Sequence, residues 1–361
     1  MNKATPWLRG LGRRPGNVCA ARAYASLSER LHQELTSRQL PLAFDYLHPQ
    51  PSHLLDLTLT DLFPKSNPSS ETQTTLLKVT RLSQLPPAHH LVYFPPQVTL
   101  SQLLPDGTDT LHFPGKPFNR RLWAGGSVRF LPTKQLLLDG SRAVCAERIG
   151  DVITKGQPGE EKIIVKIERH IDTVREDETE IDVRKRIWTN GEDTEAHPPV
   201  IEARDLVFMR DKSADQLAKD KAAFSHTSRT IKSPGSPEFR YQITPKKALL
   251  FRFSALTFNA HLIHLDQAYA RDVEGYRNLL VHGPLTLTLL LTALRHNLYG
   301  KHLALRSIDY KNLAPVYVDE QLSICGRPKP SRDNIWDVWI ENSDGGLAVR
   351  STVHLDCTGE S

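Results

Sequence analysis

Hydrophobic and polar residues alternate in several short segments of the first half of the chain. Partial alternation with period two is typical of strands that bury one face, and turn residues such as Gly156–Gly159 separate the segments. We predict five strands here, at Ser127–Phe130, Arg142–Ile149, Lys162–Arg169, Glu180–Trp188 and Asp205–Arg210. Together they predict an antiparallel sheet.

The second half shows a similar order of elements more clearly. Residues 284–299, PLTLTLLLTALRHNLY, are apolar almost all round, which is typical of a helix enclosed by other elements. Gly283 and Pro284 stand at its predicted start, where proline fits the first turn. Four strands are predicted after it, at 303–313, 321–327, 335–341 and 346–355. A long buried helix followed by an antiparallel meander predicts a sheet wrapped around that helix.

A polar segment divides these two patterns. Residues 210–237 are rich in charged residues and end in SPGSP, which is typical of a linker. A chain of 361 residues also exceeds the usual size of a single hydrophobic core. We therefore predict an α+β fold with two antiparallel sheets, each wrapped on a helix. The N-terminal domain spans residues 45–209, the linker 210–237 and the C-terminal domain 238–361.

Charge is unevenly distributed along the chain. Of the 46 Lys and Arg residues, five lie in residues 1–28, which contain no acidic residue; the other 41 balance 41 Asp and Glu residues. An Arg-rich, acid-free N-terminus is typical of a mitochondrial transit peptide and predicts a location in the mitochondrial matrix. The balanced remainder gives no electrostatic reason to bind nucleic acid. No apolar run approaches the roughly 20 residues that span a bilayer, so we expect no membrane span.

Candidate chemistry concentrates in residues 254–284. His261, His264 and Asp266 fall within six residues, a cluster that suggests either a metal site or an acid/base site. Zinc and iron sites usually show patterns such as HExxH or CxxC, and neither is present. We therefore expect no metal and no other cofactor. Proton transfer is favoured instead, because histidine takes up and releases protons near neutral pH.

The start of the long helix completes this cluster. A helix N-terminus at Gly283 supplies unpaired N–H groups and a positive dipole end, which stabilise negative charge on a thioester carbonyl when the neighbouring carbon loses a proton. Asn259 cannot transfer a proton, but its amide can hold a water molecule or a hydroxyl group. A histidine, an amide and a helix N-terminus together suit the addition or loss of water next to a thioester.

These residues also carry a family resemblance. Residues 254–266 (SALTFNAHLIHLD) and 281–284 (VHGP) resemble the hydratase motif of MaoC-like, (R)-specific enoyl-thioester hydratases and dehydratases, which have the hot-dog fold. The chain is most similar to the branch of the mitochondrial 3-hydroxyacyl-thioester dehydratase type 2 and the bacterial mesaconyl-CoA hydratase. Residues 117–126 (PFNRRLWAGG) resemble the non-catalytic first hot dog of that branch. The resemblance implies a double hot dog whose C-terminal half carries the site.

The resemblance implies a role for each motif residue. The family's catalytic histidine falls on His264 and its helix-start glycine on Gly283, whereas Asn259 stands where the wider family has aspartate and His261 where it has asparagine. Without that aspartate, we expect a single-base mechanism. His264 removes the C2 proton, the Gly283 N–H binds the enolate oxygen, and protonated His264 returns the proton to the departing 3-hydroxyl held by Asn259.

The resemblance further implies substrate contacts and a function. Arg121 and Trp123 are expected to line the acyl or pantetheine channel, and His282 adjoins the site as a third substrate-binding candidate. The expected function is a (3R)-3-hydroxyacyl-thioester dehydratase of mitochondrial type II fatty acid synthesis, acting on acyl carrier protein substrates.

Two alternative functions remain open. One is a CoA-ester hydratase, such as mesaconyl-CoA or enoyl-CoA hydratase. The other is a non-enzymatic acyl-thioester binding subunit, which the missing aspartate would permit. The oligomeric state is open as well, because two hot dogs in one chain already form the usual dimer unit. Both a monomer and a homodimer of double hot dogs fit.

Overall fold

The computed structural model describes residues 16–63, 83–188, 197–225, 230–330 and 332–357, with side chains from residue 26 onward. The first part of the predicted transit peptide, residues 1–15, lies outside the described residues. Its last part belongs to the first helix, whose Leu31 and Leu35 are buried against the N-terminal half.

The helices are α1 (Gly16–Thr36), α2 (Pro49–Leu59), α3 (Glu180–Ile187), α4 (Ala214–Ala222), α5 (Lys247–Leu256), α6 (Leu262–Leu265), α7 (Gln267–Asp272) and α8 (Gly283–Leu298). The strands are β1 (Ala43–Tyr46), β2 (Arg120–Phe130), β3 (Arg142–Lys155), β4 (Lys162–Thr173), β5 (Val200–Met209), β6 (Phe239–Ile243), β7 (Leu303–Asn312), β8 (Leu322–Lys329), β9 (Arg332–Glu341) and β10 (Leu347–Cys357). Within the described ranges, no helix is long and apolar enough to cross a membrane.

The strands form one antiparallel sheet in the order β1-β3-β4-β5-β2-β7-β10-β9-β8-β6. The first five belong to the N-terminal half and the last five to the C-terminal half. Strands β2 and β7 join the halves, with Gly125 opposite Lys311 and Arg129 opposite Ser307. The predicted α+β fold with an antiparallel sheet in each half is confirmed, and the two sheets are continuous through this pair.

Helix α8 fills the concave side of the C-terminal half, as its apolar sequence predicts. Eleven of its residues are buried, among them Thr288 and Thr292. The hydroxyls of these two threonines donate to the carbonyls of Pro284 and Thr288 one turn earlier, so neither is left unsatisfied in the core. Burial on all sides fixes the direction in which the helix N-terminus points.

The same face of the N-terminal half is covered differently. Leu31 and Leu35 of α1 pack on Ile163 and Val165 of β4, and a 3-10 turn at His89–Val92 packs farther along the sheet. Between these covers, buried charged residues replace part of the apolar core.

One row of facing residues crosses eight strands and shows this difference. Cross-strand partners lie on the same face of a sheet. The row runs through Glu147, Arg169, Glu202, Val128, Ile308, Val353, Trp336 and Pro328. It is charged on β3, β4 and β5 and apolar from β2 onward, where α8 packs.

The strand predicted at Glu180–Trp188 is wrong, because these residues form α3. Thr179 caps the helix by accepting a hydrogen bond from the N–H of Asp182, and basic residues occupy the last turn, where they complement the helix dipole. Val183 and Ile187, four residues apart, are both buried on one face. Capping and dipole therefore outweigh the partial alternation that suggested a strand.

The segment predicted as a linker contains regular structure. Helix α4 begins with a capping box, in which the side chain of Ser213 bonds the N–H of Gln216 and the side chain of Gln216 bonds the N–H of Ser213. Residues 226–229 of this segment lie outside the described residues. The domain boundaries at 209 and 238 stay a prediction, and they agree with the ends of β5 and the start of β6 within a residue.

Candidate active site

A cavity of about 810 Å³ lies between the two halves of the chain. The C-terminal half contributes Asn259, His264 and Gly283 to its lining, and the N-terminal half contributes Arg121 and Trp123. Five of the six residues predicted for the site thus face one space. Both halves are needed to enclose it.

His264 lies in the short helix α6 and is buried, with 7% of its surface exposed. Its Nδ1 lies 2.8 Å from the carbonyl oxygen of Leu280, and since a carbonyl can only accept, Nδ1 carries the proton. The lone pair is therefore on Nε2. Burial is the main cause that lowers the pKa of His264 to about 4; the bond to Leu280 opposes this shift and the positive charge of Arg121 adds to it. The ring is neutral at pH 7 and able to accept a proton.

Gly283 is the first residue of α8, where a backbone N–H has no acceptor within the helix. A Cβ atom at this position would lie 2.7 Å from Cβ and 2.8 Å from Cγ of Trp123. Asn312 fixes that contact by donating from Nδ2 to the carbonyl of Trp123 at 2.9 Å. Glycine is required here by close packing between the halves, which brings the helix N-terminus to the cavity.

Asn259 follows a left-handed residue, Phe258, at the end of the turn after α5. Its Oδ1 accepts the backbone N–H of His261 at 3.0 Å. Its Nδ2 is thus the part of the amide left to bind a ligand. An NH₂ group donates, so it suits the oxygen of a hydroxyl group or a water molecule.

His282 does not line the cavity. It is fully buried behind His264, and the two rings stack with centroids 3.7 Å apart and an angle of 25° between them. Its Nε2 lies 2.8 Å from the hydroxyl of Ser254, and its Nδ1 has no partner. Burial, followed by the nearby His264 and His261, lowers the pKa of His282 well below its ordinary value. In this position His282 can hold the His264 ring in place. The predicted contact of His282 with substrate is not supported, because its ring does not reach the cavity.

Arg121 and Trp123 face the cavity from the start of β2. Nη1 of Arg121 pairs with Asp109 at 3.1 Å. Nε1 of Trp123 donates to the hydroxyl of Tyr310 at 2.8 Å, and the guanidinium of Arg204 lies 4.7 Å from the indole ring. Their predicted role in substrate binding stays a prediction, and their position in the lining is compatible with it.

One feature of the site was missed from the sequence. A loop of the N-terminal half, Asp106–Thr108, docks on the start of α6, where the N–H of Leu262 donates to the carbonyl of Asp106 at 2.8 Å. Oδ2 of Asp106 lies 3.5 Å from Nε2 of His261. An Asp-Gly pair alone indicates only a turn. Its place beside the site depends on how the halves pack.

The other acidic residue of the motif has a local role. Asp266 caps α7 by accepting the N–H of Tyr269 at 3.0 Å. Across the described ranges, no group of three or more His, Cys, Asp or Glu side chains is arranged to hold a metal ion.

Comparison with known proteins identifies the family. A family model described as hydroxyacyl-thioester dehydratase type 2 matches residues 88–318, more than half of the chain. The chain belongs to this family. Two relatives are similar to this type 2 dehydratase family member over most of their own length. The mitochondrial hydroxyacyl-thioester dehydratase type 2 of Schizosaccharomyces pombe is 27% identical over 290 residues, covering 78% of the chain and 88% of the relative. The mesaconyl-C(4)-CoA hydratase of Chloroflexus aurantiacus is 30% identical over 279 residues, covering 76% of the chain and 84% of the relative.

Solved structures support the fold of this type 2 dehydratase family member. A MaoC-like dehydratase from Phytophthora capsici superposes with a TM-score of 0.55 at 12% identity, over 89% of the chain and 98% of that protein. HtdX from Mycobacterium tuberculosis superposes with a TM-score of 0.50 at 12% identity, over 86% of the chain and 99% of that protein. At such low identity the similarity shows the fold alone, and it confirms the predicted double hot dog.

Proposed function

We propose that this protein is a (3R)-3-hydroxyacyl-thioester dehydratase that also catalyses the reverse hydration. The observation that carries the proposal is the arrangement of His264 and Gly283. A neutral imidazole with a free Nε2 lines the same cavity as the first N–H groups of α8. A base and an oxyanion site in one enclosed space are what proton removal next to a thioester carbonyl requires.

The steps follow from these positions. His264 accepts the C2 proton, and the N–H of Gly283 binds the thioester oxygen as it becomes an enolate. Nδ2 of Asn259 donates to the 3-hydroxyl and keeps it in place until the C3–O bond breaks and a proton transferred within the site lets it leave as water. Preorganised donors at a developing oxyanion are worth about 10²–10³ in rate.

The proposed setting is mitochondrial type II fatty acid synthesis in the matrix, with substrates carried on acyl carrier protein. The Arg-rich, acid-free residues 1–28 support it. So do the names of the relatives from Schizosaccharomyces pombe and Saccharomyces cerevisiae, both described as mitochondrial type 2 dehydratases.

The relative from Chloroflexus aurantiacus favours a second candidate, a hydratase of CoA esters that uses the same residues. Comparing turnover of one (3R)-3-hydroxyacyl chain on acyl carrier protein and on CoA separates the two. A higher kcat/KM on the protein carrier supports the dehydratase of fatty acid synthesis, and the reverse supports the CoA-ester hydratase. Binding without turnover on either carrier would instead indicate an acyl-thioester binding subunit.

The role of His264 has a direct test. The variant His264→Ala should lower kcat for hydration of crotonyl-CoA by about 10²–10⁴-fold, the usual contribution of a general base. His302→Ala is the matched control, because His302 is exposed and lies outside the cavity lining. Near-normal hydration by purified, folded His264→Ala would refute the assignment.

A further inference from the structure

Dehydration needs two proton transfers, and Asn259 can perform neither. A proton leaves C2, and another must reach the departing hydroxyl so that it leaves as water. If His264 carries out both, one ring has to reach both C2 and the oxygen of the 3-hydroxyl. The structure offers a second ionisable group beside it, because the rings of His261 and His264 lie 5.5 Å apart at an angle of 80°. His261 also lines the cavity.

His261 has a carboxylate partner that comes from the N-terminal half. Asp106 is held in place by its own loop, since its Oδ1 accepts the N–H of Thr108 at 2.9 Å and the hydroxyl of Thr108 at 2.7 Å. This arrangement leaves Oδ2 free to face His261 Nε2 at 3.5 Å. Neither of these two buried atoms has a hydrogen-bond partner at this distance.

The loop cannot readily move away from His261. The N–H of Leu262 donates to the carbonyl of Asp106, and Gly107 lies so close to the next segment that a Cβ atom would be 2.1 Å from the carbonyl oxygen of Ala260. Gly107 also has a φ of +81°, which glycine adopts without strain. Hydrogen bonds of catalytic groups are often long without substrate and shorten in the complex. A small closure from 3.5 Å would therefore complete the pair.

We propose that His261, oriented by Asp106, is the second proton-transfer residue of this site. His264 takes the C2 proton while the electrons of the C2–H bond form the C2=C3 double bond. The C3–O bond breaks with its electron pair on oxygen, and protonated His261 gives that oxygen a proton, so that water leaves. His264 has then gained the proton that His261 has lost, and exchange through water in the cavity restores both.

Asp106 has two functions in this scheme. Its carboxylate accepts the Nε2 proton of His261 and so leaves Nδ1 as the nitrogen that serves the substrate, as the aspartate of a catalytic triad fixes its histidine. It also balances the charge of the imidazolium form. Burial lowers the pKa of His261 well below its ordinary value, and the nearby His264 and Arg121 lower it further, so the imidazolium form depends on a carboxylate beside it. Asp106 is therefore a positioning residue and His261 a catalytic one.

The test uses the full-length protein and rests on the proposed function. His261→Asn should lower kcat for crotonyl-CoA hydration and (3R)-3-hydroxybutyryl-CoA dehydration by about 10²–10⁴-fold with little change in KM. Asp106→Asn should lower kcat for both reactions by at least about tenfold. Adding Asn259→Asp to His261→Asn should restore part of the loss, because it returns an ionisable group to the cavity. His170→Asn is the matched control, since it removes a buried histidine that contacts Glu168 at 2.8 Å away from the cavity.

The outcomes separate the inference from the function on which it rests. Wild-type turnover together with normal kcat in folded His261→Asn overturns the inference and leaves the proposed function intact. If the wild-type protein has no activity, the proposed function fails, and nitrogen NMR of the histidine rings decides the pairing. An Nε2–H tautomer of His261 that changes in Asp106→Asn supports the pair. A ring unaffected by Asp106→Asn overturns it.

Discussion

Arg169 lies at the centre of the charged part of the cross-strand row and tests what that row contributes to stability. Its Nε is 2.6 Å from Glu147 and its Nη1 is 2.8 Å from Glu202. The side chains of Arg169, Glu147 and Glu202 are only 3%, 13% and 0% exposed, so little water reaches them to replace a lost partner. Burial alone would raise the pKa of Glu202, but Arg204 and then Arg169 lower it to about 2. Arg169 is therefore the main compensating charge for Glu147 and a second one for Glu202.

The substitution Arg169→Met keeps the length of the side chain and removes its charge. Removing one partner of a buried ion pair costs about 3–5 kcal/mol, because the remaining charge stays buried without compensation. A matched control lies on the same two strands but on the opposite face, where Arg148 pairs with Glu168 and the side chains are 51% and 32% exposed. Because exposed pairs contribute about 0–1 kcal/mol, Arg148→Met should have a small effect.

Equilibrium unfolding in urea, followed by far-UV circular dichroism at pH 7.5, measures both variants against the wild type. We expect a large decrease in the midpoint for Arg169→Met and a decrease near the experimental error for Arg148→Met. Equal midpoints for the two variants would refute the conclusion that the buried carboxylates of the row need the charge of Arg169. A further variant with apolar residues at 147, 169, 202 and 204 should recover much of the loss, because it removes Arg204, the other partner of Glu202, as well, and replacing a whole buried ion-pair network is often neutral.

Three other predictions follow from the site. In the hydration assay with crotonyl-CoA, Gly283→Ala should lower kcat by about 10–10³-fold, because the new Cβ would overlap Trp123 and displace the helix N-terminus. Gly150→Ala is the control and should stay active, because a Cβ atom there would meet no atom closer than 4.0 Å. Ser254→Ala should lower the free energy of unfolding by about 1–3 kcal/mol, because it leaves both ring nitrogens of buried His282 without a hydrogen-bond partner. Thermal unfolding measures this change, and an unchanged Tm would contradict the hydrogen bond between Ser254 and His282. The free energy of unfolding should fall as the pH drops from 6.5 toward 4, because His90 and His264 have native pKa values of about 4 and the unfolded chain binds these protons first. Each contributes up to about 3 kcal/mol at the acid end, and urea midpoints that are constant from pH 7 to pH 4 would contradict the neutral, buried state of these rings.

Most of the fold was predictable because its strongest determinants are local. The apolar sequence after Gly283 predicts α8, and period-two alternation predicts the positions of most strands. The exception, α3, shows the limit of counting apolar positions. Thr179 and Asp182 provide a cap that competes successfully with a weak alternation.

The site was predictable only as far as the motif extends. His264, Asn259 and Gly283 do meet at one cavity. The direction of a side chain at a helix cap depends on the packing around it, so the sequence could not show that His282 lies behind His264. Asp106 lies in the other half of the chain, and only the docking of its loop brings it to His261.

The pairing of β2 with β7 has a consequence for the N-terminal half, which lacks the motif. If the C-terminal half were produced alone, β7 would present a row of free N–H and C=O groups at the edge of its sheet, and such an edge pairs readily with other chains and aggregates. In the intact chain β2 occupies that edge, and the sheet ends instead at two short strands, β1 of four residues and β6 of five. The half without the motif thus covers the edge of β7 as well as enclosing the cavity.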